Sequence, residues 1–243
     1  MTKNTIILAC LCASFTAAQA QQNHLKLHFG YEFANRVILQ LPQIGDTGQG
    51  YQRDYETRPL IAIGFAHEKA SGNFWEITGR TNAFIGSQSV YDYPIDSILT
   101  GPLFELGKER NNHAQLQFEY NSLQCTSIDK EIRPYLGIFI RASSQWASYK
   151  PATAEFFPMD RWLTSFSPGI VPRLFLKLGN RWQLDLSVPV VLGSISFDRT
   201  TMKNPALTPA QQRNSIVDMD ILSTETQIRL GFAYRLNKVA AVK

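Results

Sequence analysis

Residues 170–197 alternate apolar and polar side chains with a period of two over two consecutive runs, and that pattern constrains the fold more than any other. In the first run Ile170, Leu174, Leu176 and Leu178 share one parity, with Arg173 and Lys177 on the other. In the second, Trp182, Leu184, Leu186, Val188, Val190 and Leu192 oppose Gln183, Asp185 and Ser187. Successive Cβ atoms of a strand point to opposite sides, so strict alternation marks a strand with two different faces. Gly179-Asn180 between the runs accepts positive φ at little cost, which predicts a tight β-hairpin. One face is long and apolar while the other carries full charges. Such a pair of faces suits a wall between lipid and a packed polar interior.

The same alternation recurs in residues 24–33, 60–67, 73–83, 113–121, 134–142 and 225–236. With the two runs above this makes eight, each about the 9–11 residues that a tilted strand needs to cross a bilayer. The connections alternate in length. Those around 69–72, 124–132 and 179–180 are short; those around 41–57, 84–112, 143–168 and 198–224 are long and rich in Gly, Pro, Asn, Asp and Ser. Short turns at one end and long loops at the other predict an all-β fold, an antiparallel up-and-down transmembrane β-barrel of eight strands, with both termini on the short-turn side. Within 84–112, Phe84-Ile85 and residues 98–106 could pair as a further hairpin, so ten strands are the alternative. Pro172 and Pro189 fall inside predicted strands and would each remove a ladder hydrogen bond, which predicts bulges or strand ends there.

The N-terminus has the order of a cleavable secretory signal: Lys3, an apolar run over residues 6–15, then Ala18-Gln-Ala20. The run is too short to span a bilayer as a helix, which takes roughly 20 residues. Residues 1–20 are therefore expected to leave, and residues 21–243 to form one barrel domain. Two of the three cysteines, Cys10 and Cys12, go with the signal. Cys125 alone remains, so neither a disulfide framework nor a cysteine metal site is expected. A net charge of +4, scattered along the chain, does not point to nucleic acid.

The parity assignment sends Lys26, Arg80, Arg141, Arg173, Lys177, Arg229 and Arg235 into the lumen, with Glu32, Glu76, Glu119 and Asp185 against them. An eight-stranded barrel is just wide enough for side chains to fill, and buried charges must pair or cost several kcal/mol each. An ion-paired plug is the expected interior, and inward Tyr135, Phe139 and Phe175 favour filling. A narrow pore for small solutes is the alternative that the basic surplus permits. Outside, Tyr31, Trp75, Tyr120, Trp182 and Tyr234 fit aromatic girdles at the membrane interfaces. Trp146, Tyr149, Phe156, Phe157, Trp162 and Phe166 fall in or near the 143–168 loop, either as a binding surface or as the loop's own small core.

No catalytic constellation is legible. Acyl transfer would need a nucleophile, a base and an orienting group near the long-loop rim. Of His24, His28, His67 and His113, only His113 falls there, and two residues on stands Gln115, where the lipid A deacylase type has serine. Gly-x-Ser-x-Gly, His-Glu-x-x-His and glycine-rich phosphate loops are absent from the sequence. No enzymatic activity, cofactor or metal is expected.

Arg133-Pro-Tyr-Leu-Gly137, Ser167-Pro-Gly-Ile170 leading into the hairpin around Gly179, and the closing Ile228-Arg-Leu-Gly-Phe-Ala-Tyr-Arg-Leu236 together carry a resemblance. The chain resembles the porin-like outer-membrane β-barrel domain family of Gram-negative bacteria, related in architecture to the barrel of outer-membrane protein A. The resemblance covers the whole chain after residue 20 and implies insertion into the outer membrane by the assembly machinery that reads the last strand. Such strands usually end the chain on an aromatic, whereas here residues 237–243 follow. The expectation is a monomeric barrel in the cell outer membrane, in contact with its lipid, with a structural or surface-interaction role and an unknown extracellular ligand. A soluble periplasmic lipocalin-like carrier, with the apolar parity turned inward, is the alternative of another class.

Overall fold

The computed structural model describes residues 22–40, 50–81, 87–94, 103–124, 131–152, 156–221 and 225–236. The expected signal, Phe84-Ile85, Ile98, Cys125 and the tail after Leu236 lie outside the described residues. Strand segments run β1 (Gln22–Gln40), β2 (Gly50–Glu68), β3 (Phe74–Thr81), β4 (Ser87–Pro94), β5 (Leu103–Leu123) and β6 (Ile132–Pro151). They continue with β7 (Met159–Leu178), β8 (Trp182–Ser187), β9 (Val190–Val191), β10 (Gly193–Met202), β11 (Arg213–Ile221) and β12 (Thr226–Arg235).

Every pairing is antiparallel. β1 pairs with β2, β2 with β3, β3 and β4 with β5, β5 with β6, β6 with β7, and β7 with β8, β9 and β10. β12 pairs with β8 and β9 on one edge and with β1 on the other, from His24↔Arg235 to Phe33↔Thr226, which closes the sheet. β3–β4, β8–β9–β10 and β11–β12 are successive lengths of single staves, so the wall is a closed eight-stranded antiparallel barrel. Beyond Phe33↔Thr226, toward the long hairpins, β11 pairs with β10. Following partners round the wall from His24 leads through Ala66, Glu76, Glu119, Phe139 and Gly169 to Val191, whose N–H donates to the Glu225 carbonyl at 3.0 Å. Thr226, the next residue, faces Phe33, so one circuit climbs β1 from His24 to the level of Phe33. That stagger tilts the strands and sets the barrel's width.

The two faces follow the sequence parity. On β6, Ile138 and Ile140 are 66% and 62% exposed, while Phe139 and Arg141 are each 3% exposed. Apolar side chains cover the outside and charged ones fill the inside, which is opposite to what the lipocalin-like carrier requires. That alternative fails because a soluble carrier would need the Ile138 face in its core.

The long connections are shorter than the sequence predicts. β1, β2, β5, β6 and β7 are 19, 19, 21, 20 and 20 residues long, about twice what a bilayer crossing takes. Much of the predicted 41–57, 143–168 and 198–224 loops is strand that projects as paired hairpins. In residues 143–148 the polar Ser143, Ser144, Gln145 and Ser148 fall on both faces, so the apolar contrast that reveals a strand is missing there. Within 84–112 it is β4, not the predicted Phe84-Ile85, that pairs with β5, and this pairing prolongs the β3–β5 pair and adds no stave. At the short-turn end, residues 179–181 join Leu178 to Trp182, one residue more than Gly179-Asn180 alone, with Gly179 at φ 90°. β7 runs through Pro172, whose carbonyl accepts from the Val188 N–H at 3.0 Å. Pro189 does interrupt its stave, between β8 and β9.

Candidate functional site

The centre of the lumen is a cluster of charges brought together from six staves. Arg173 on β7 donates to Glu76 on β3 at 2.6 Å and to Glu119 on β5 at 2.5 Å, with its Nε 3.5 Å from Asp185 on β8. Lys26 on β1 reaches Glu76 at 2.6 Å and Asp185 at 2.9 Å. Arg229 on β12 donates to Glu119 at 2.5 Å and through Nε to the Ser187 hydroxyl at 3.2 Å. Glu76, Glu119 and Asp185 are fully buried. Each must therefore be compensated where it stands, and each is, by at least one cation at contact distance. Phe74 and Phe175 stack below the cluster with centroids 5.1 Å apart, and the Lys26 ammonium lies 4.6 and 4.4 Å from their rings. Tyr135 tilts against both, so the lumen below the charges is an aromatic core.

Of the predicted lumen residues, Lys26, Glu32, Glu76, Glu119, Arg141, Arg173, Asp185 and Arg229 are buried inside the barrel. Arg80 is close behind, donating to Glu32, which also accepts from Gln227 at 2.7 Å. Lys177 and Arg235 have the inward parity but stand half-exposed at the short-turn rim, outside the cluster, because the strands end there. The lumen set predicted from the sequence leaves out several members. Arg133 donates to Glu68 at 2.6 Å and His24 lies 3.1 Å from the same carboxylate, forming a second cluster nearer the short turns. Gln117 ties Glu119 (2.7 Å) to Arg141 (2.9 Å). His28 sits 2.8 Å from Glu76, and it fits because the residues beside it are glycines: a Cβ at Gly231 would lie 2.6 Å from its Nδ1. Gln117, Gln227 and Ser187 lie on the face that the alternation assigns to the interior, alongside the charged residues.

Two spaces among the described residues of this lumen are small. One of about 10 Å³ lies among Leu60, Thr78, Gln117 and Arg229. Another of about 70 Å³ opens above it, lined by Glu32, His113, Arg141, Ser143, Ser165 and Glu225. There the Ser143 and Ser165 hydroxyls hydrogen-bond each other at 2.6 Å. His28, Glu76 and Asp185 present ligand atoms within 4.8 Å of one another, the spacing of a metal site. Lys26 already neutralises both carboxylates, and Arg173 reaches both as well. A divalent ion would have to enter beside two cations, so the donor set fits an ion-pair cluster better than a metal.

On the outer wall Trp75, Tyr120, Trp182 and Tyr234 form a girdle at the short-turn end. Trp182 and Tyr234 pack at 4.9 Å, and the Lys69 ammonium lies 5.6 Å from the Tyr120 ring. Tyr31 is exposed on the apolar wall nearer its middle. Trp146 and Trp162 are not loop residues as predicted: they face each other across β6 and β7, outward and exposed. Phe166 also points outward, while Tyr149 and Met159 are buried inside with Phe156 and Met202 against them. The aromatics of 143–168 thus divide by parity between the wall and a small inner core.

No family model matches the chain, and no curated protein sequence does either. Solved structures do. The outer membrane protein OprG from Pseudomonas aeruginosa overlays with a TM-score of 0.51 at 13% identity, over 89% of this chain and 97% of that one. A major outer membrane protein from Thermus thermophilus gives 0.46 at 11% identity, over 90% and 100%. The outer membrane protease OmpT from Escherichia coli gives 0.44 at 10%, over 91% and 97%. The likeness to OprG is one of fold: an outer-membrane β-barrel.

Proposed function

We propose that this chain is a monomeric outer-membrane barrel, closed to solutes, whose role lies in its wall and in the strands projecting at the cell surface. The observation that carries the reading is the cross-lumen cluster in which Lys26, Arg173 and Arg229 bridge Glu76, Glu119 and Asp185. A space of about 10 Å³ holds about one water and no hydrated ion, and beneath it lies the aromatic core of Phe74, Tyr135 and Phe175. This favours a plug over the narrow pore. Outward apolar parity supports contact with outer-membrane lipid, and β12 would be the strand that the assembly machinery reads. We assign no catalytic residue.

Two measurements test the reading. Cell fractionation is expected to place the protein in the outer membrane, with a gel band that shifts on boiling; a soluble protein with no shift would overturn the location. In planar bilayers the purified barrel is expected to give no conductance steps. Regular steps from the unmutated protein would overturn the plug.

A further inference from the structure

The wall changes character in rows toward the long-hairpin end. Lateral partners Leu116, Ala142, Phe166, Ile195 and Met219 make an apolar row across five staves. Four residues further along their staves come Asn112, Trp146, Trp162 and Arg199, and two beyond those Arg110, Ser148, Asp160 and Thr201. Apolar residues giving way to tryptophan and then to charge is the profile of a membrane interface. Between Arg110 and Arg199 the outer wall is indented by a cleft of about 340 Å³, floored by Trp146 and Trp162 and bordered by Ser148 and Asp160. The Trp162 Nε1–H is held by the Ser144 hydroxyl at 2.7 Å, which fixes the indole at the cleft's edge. Asp160, the acidic group in the cleft, is bound by Lys203 at 2.6 Å and by the Ser148 hydroxyl at 2.9 Å. Arg110 and Arg199 are exposed and have no carboxylate partner among the described residues. The cleft is therefore a basic pocket with an aromatic floor at the upper edge of the apolar wall.

We propose that this cleft binds the phosphorylated headgroup of an outer-leaflet glycolipid, with Arg110 and Arg199 on phosphate and the two tryptophans against the sugar. Guanidinium groups present paired N–H donors that match phosphate oxygens, and these charge-assisted bonds are strongest where lipid excludes water on one side. The cleft's volume lies at the lower end of small-ligand sites, which suits one headgroup. A lipid is favoured over a soluble anion because the cleft is on the outer wall, directly above the apolar rows, where acyl chains would continue down. The inference rests on the outer-membrane reading above, but it is tested in detergent, where localisation plays no part.

The test titrates the full-length folded protein in micelles with lipid A carrying both phosphates, and with the same lipid dephosphorylated, reading retained lipid by native mass spectrometry. The phosphorylated lipid is expected to be retained and the dephosphorylated one lost. Retention of both alike would overturn the proposal in favour of a nonspecific lipid annulus. Arg110→Gln and Arg199→Gln are each expected to weaken retention by roughly tenfold, the scale of one lost charge-assisted hydrogen bond, with the heat-shifted band unchanged. Unchanged retention in the double variant would overturn the assignment to these residues. If inorganic phosphate displaces the lipid at equal concentration, the site reads a free anion and the lipid assignment falls.

Discussion

Arginine is used in two opposite ways in this barrel. Arg173 and Arg229 lie in the lumen, buried, each held by carboxylates from other staves at 2.5–2.6 Å. Arg110 and Arg199 lie on the outer wall, exposed, beside the tryptophan pair and ion-paired with no carboxylate among the described residues. The difference shows that the surroundings decide what the charge does. Inside, where water is excluded, an arginine is tolerable only as a cross-link, and its neighbours are chosen to compensate it. Outside, at the edge of the apolar band, water is available and the same group stays open to an anion.

The sharpest way to break this contrast is to delete the lumenal partner. Arg173→Ala leaves Glu76, Glu119 and Asp185 with Lys26 and Arg229 as the cations at contact distance. The expected cost is about 3–5 kcal/mol, read as a lower midpoint of urea unfolding in lipid vesicles followed by the gel shift. A loss under about 1 kcal/mol would mean that water or lumenal rearrangement compensates the carboxylates. Next in size is an arginine placed where neither partner nor water exists. Leu230 and Leu186 face each other on the outer wall. Leu230→Arg or Leu186→Arg is expected to cost about 2–4 kcal/mol in the same assay if the residue lies near the bilayer midplane. No effect would mean that this face does not meet lipid.

The smallest effect is expected at the rim. Lys203 and Asp160 pair at 2.6 Å with about half of each side chain exposed. Burial would raise the Asp160 carboxyl, but hydrogen bonds from Lys203 and Ser148 outweigh it and hold the group below its ordinary value. Its stabilising contribution is therefore present above the ordinary carboxylate range and lost as pH falls through the depressed folded-state value. Asp160→Asn should cost at most about 1 kcal/mol near neutral pH and nothing in acid, measured as unfolding midpoints at the two pH values. A larger loss would give the rim pair a structural weight closer to that of the lumen.

The alternation of Leu25, Leu27 and Phe29 against Lys26 and His28 already separates wall from lumen, because the period of a strand is a local property of the backbone. The same rule located Glu76, Glu119, Arg173 and Asp185 inside. It failed at Trp146 and Trp162, where Ser143, Ser144, Gln145 and Ser148 surround them with polar residues on both faces and hide the strand. It placed Lys177 and Arg235 inside without saying how far up the barrel they stand, which parity does not encode.

Which charge meets which is another matter. Lys26 and Asp185 are 159 residues apart, Gln227 and Glu32 are 195 apart, and Arg229 and Glu119 are 110 apart. Nothing local links such residues. Their meeting depends on the register of every strand pair and on the stagger accumulated round the closed wall, in which one circuit climbs from His24 to Phe33. The outer cleft arises in the same way, since Arg110 and Arg199 come from β5 and β10 with two staves between them. Parity along each stave, and with it a lipid-facing wall around a charged interior, follows from the chain's own alternation. The ion-pair partners and the basic cleft exist only once closure aligns the staves, because lateral neighbours in a barrel are set by register and tilt rather than by distance along the chain.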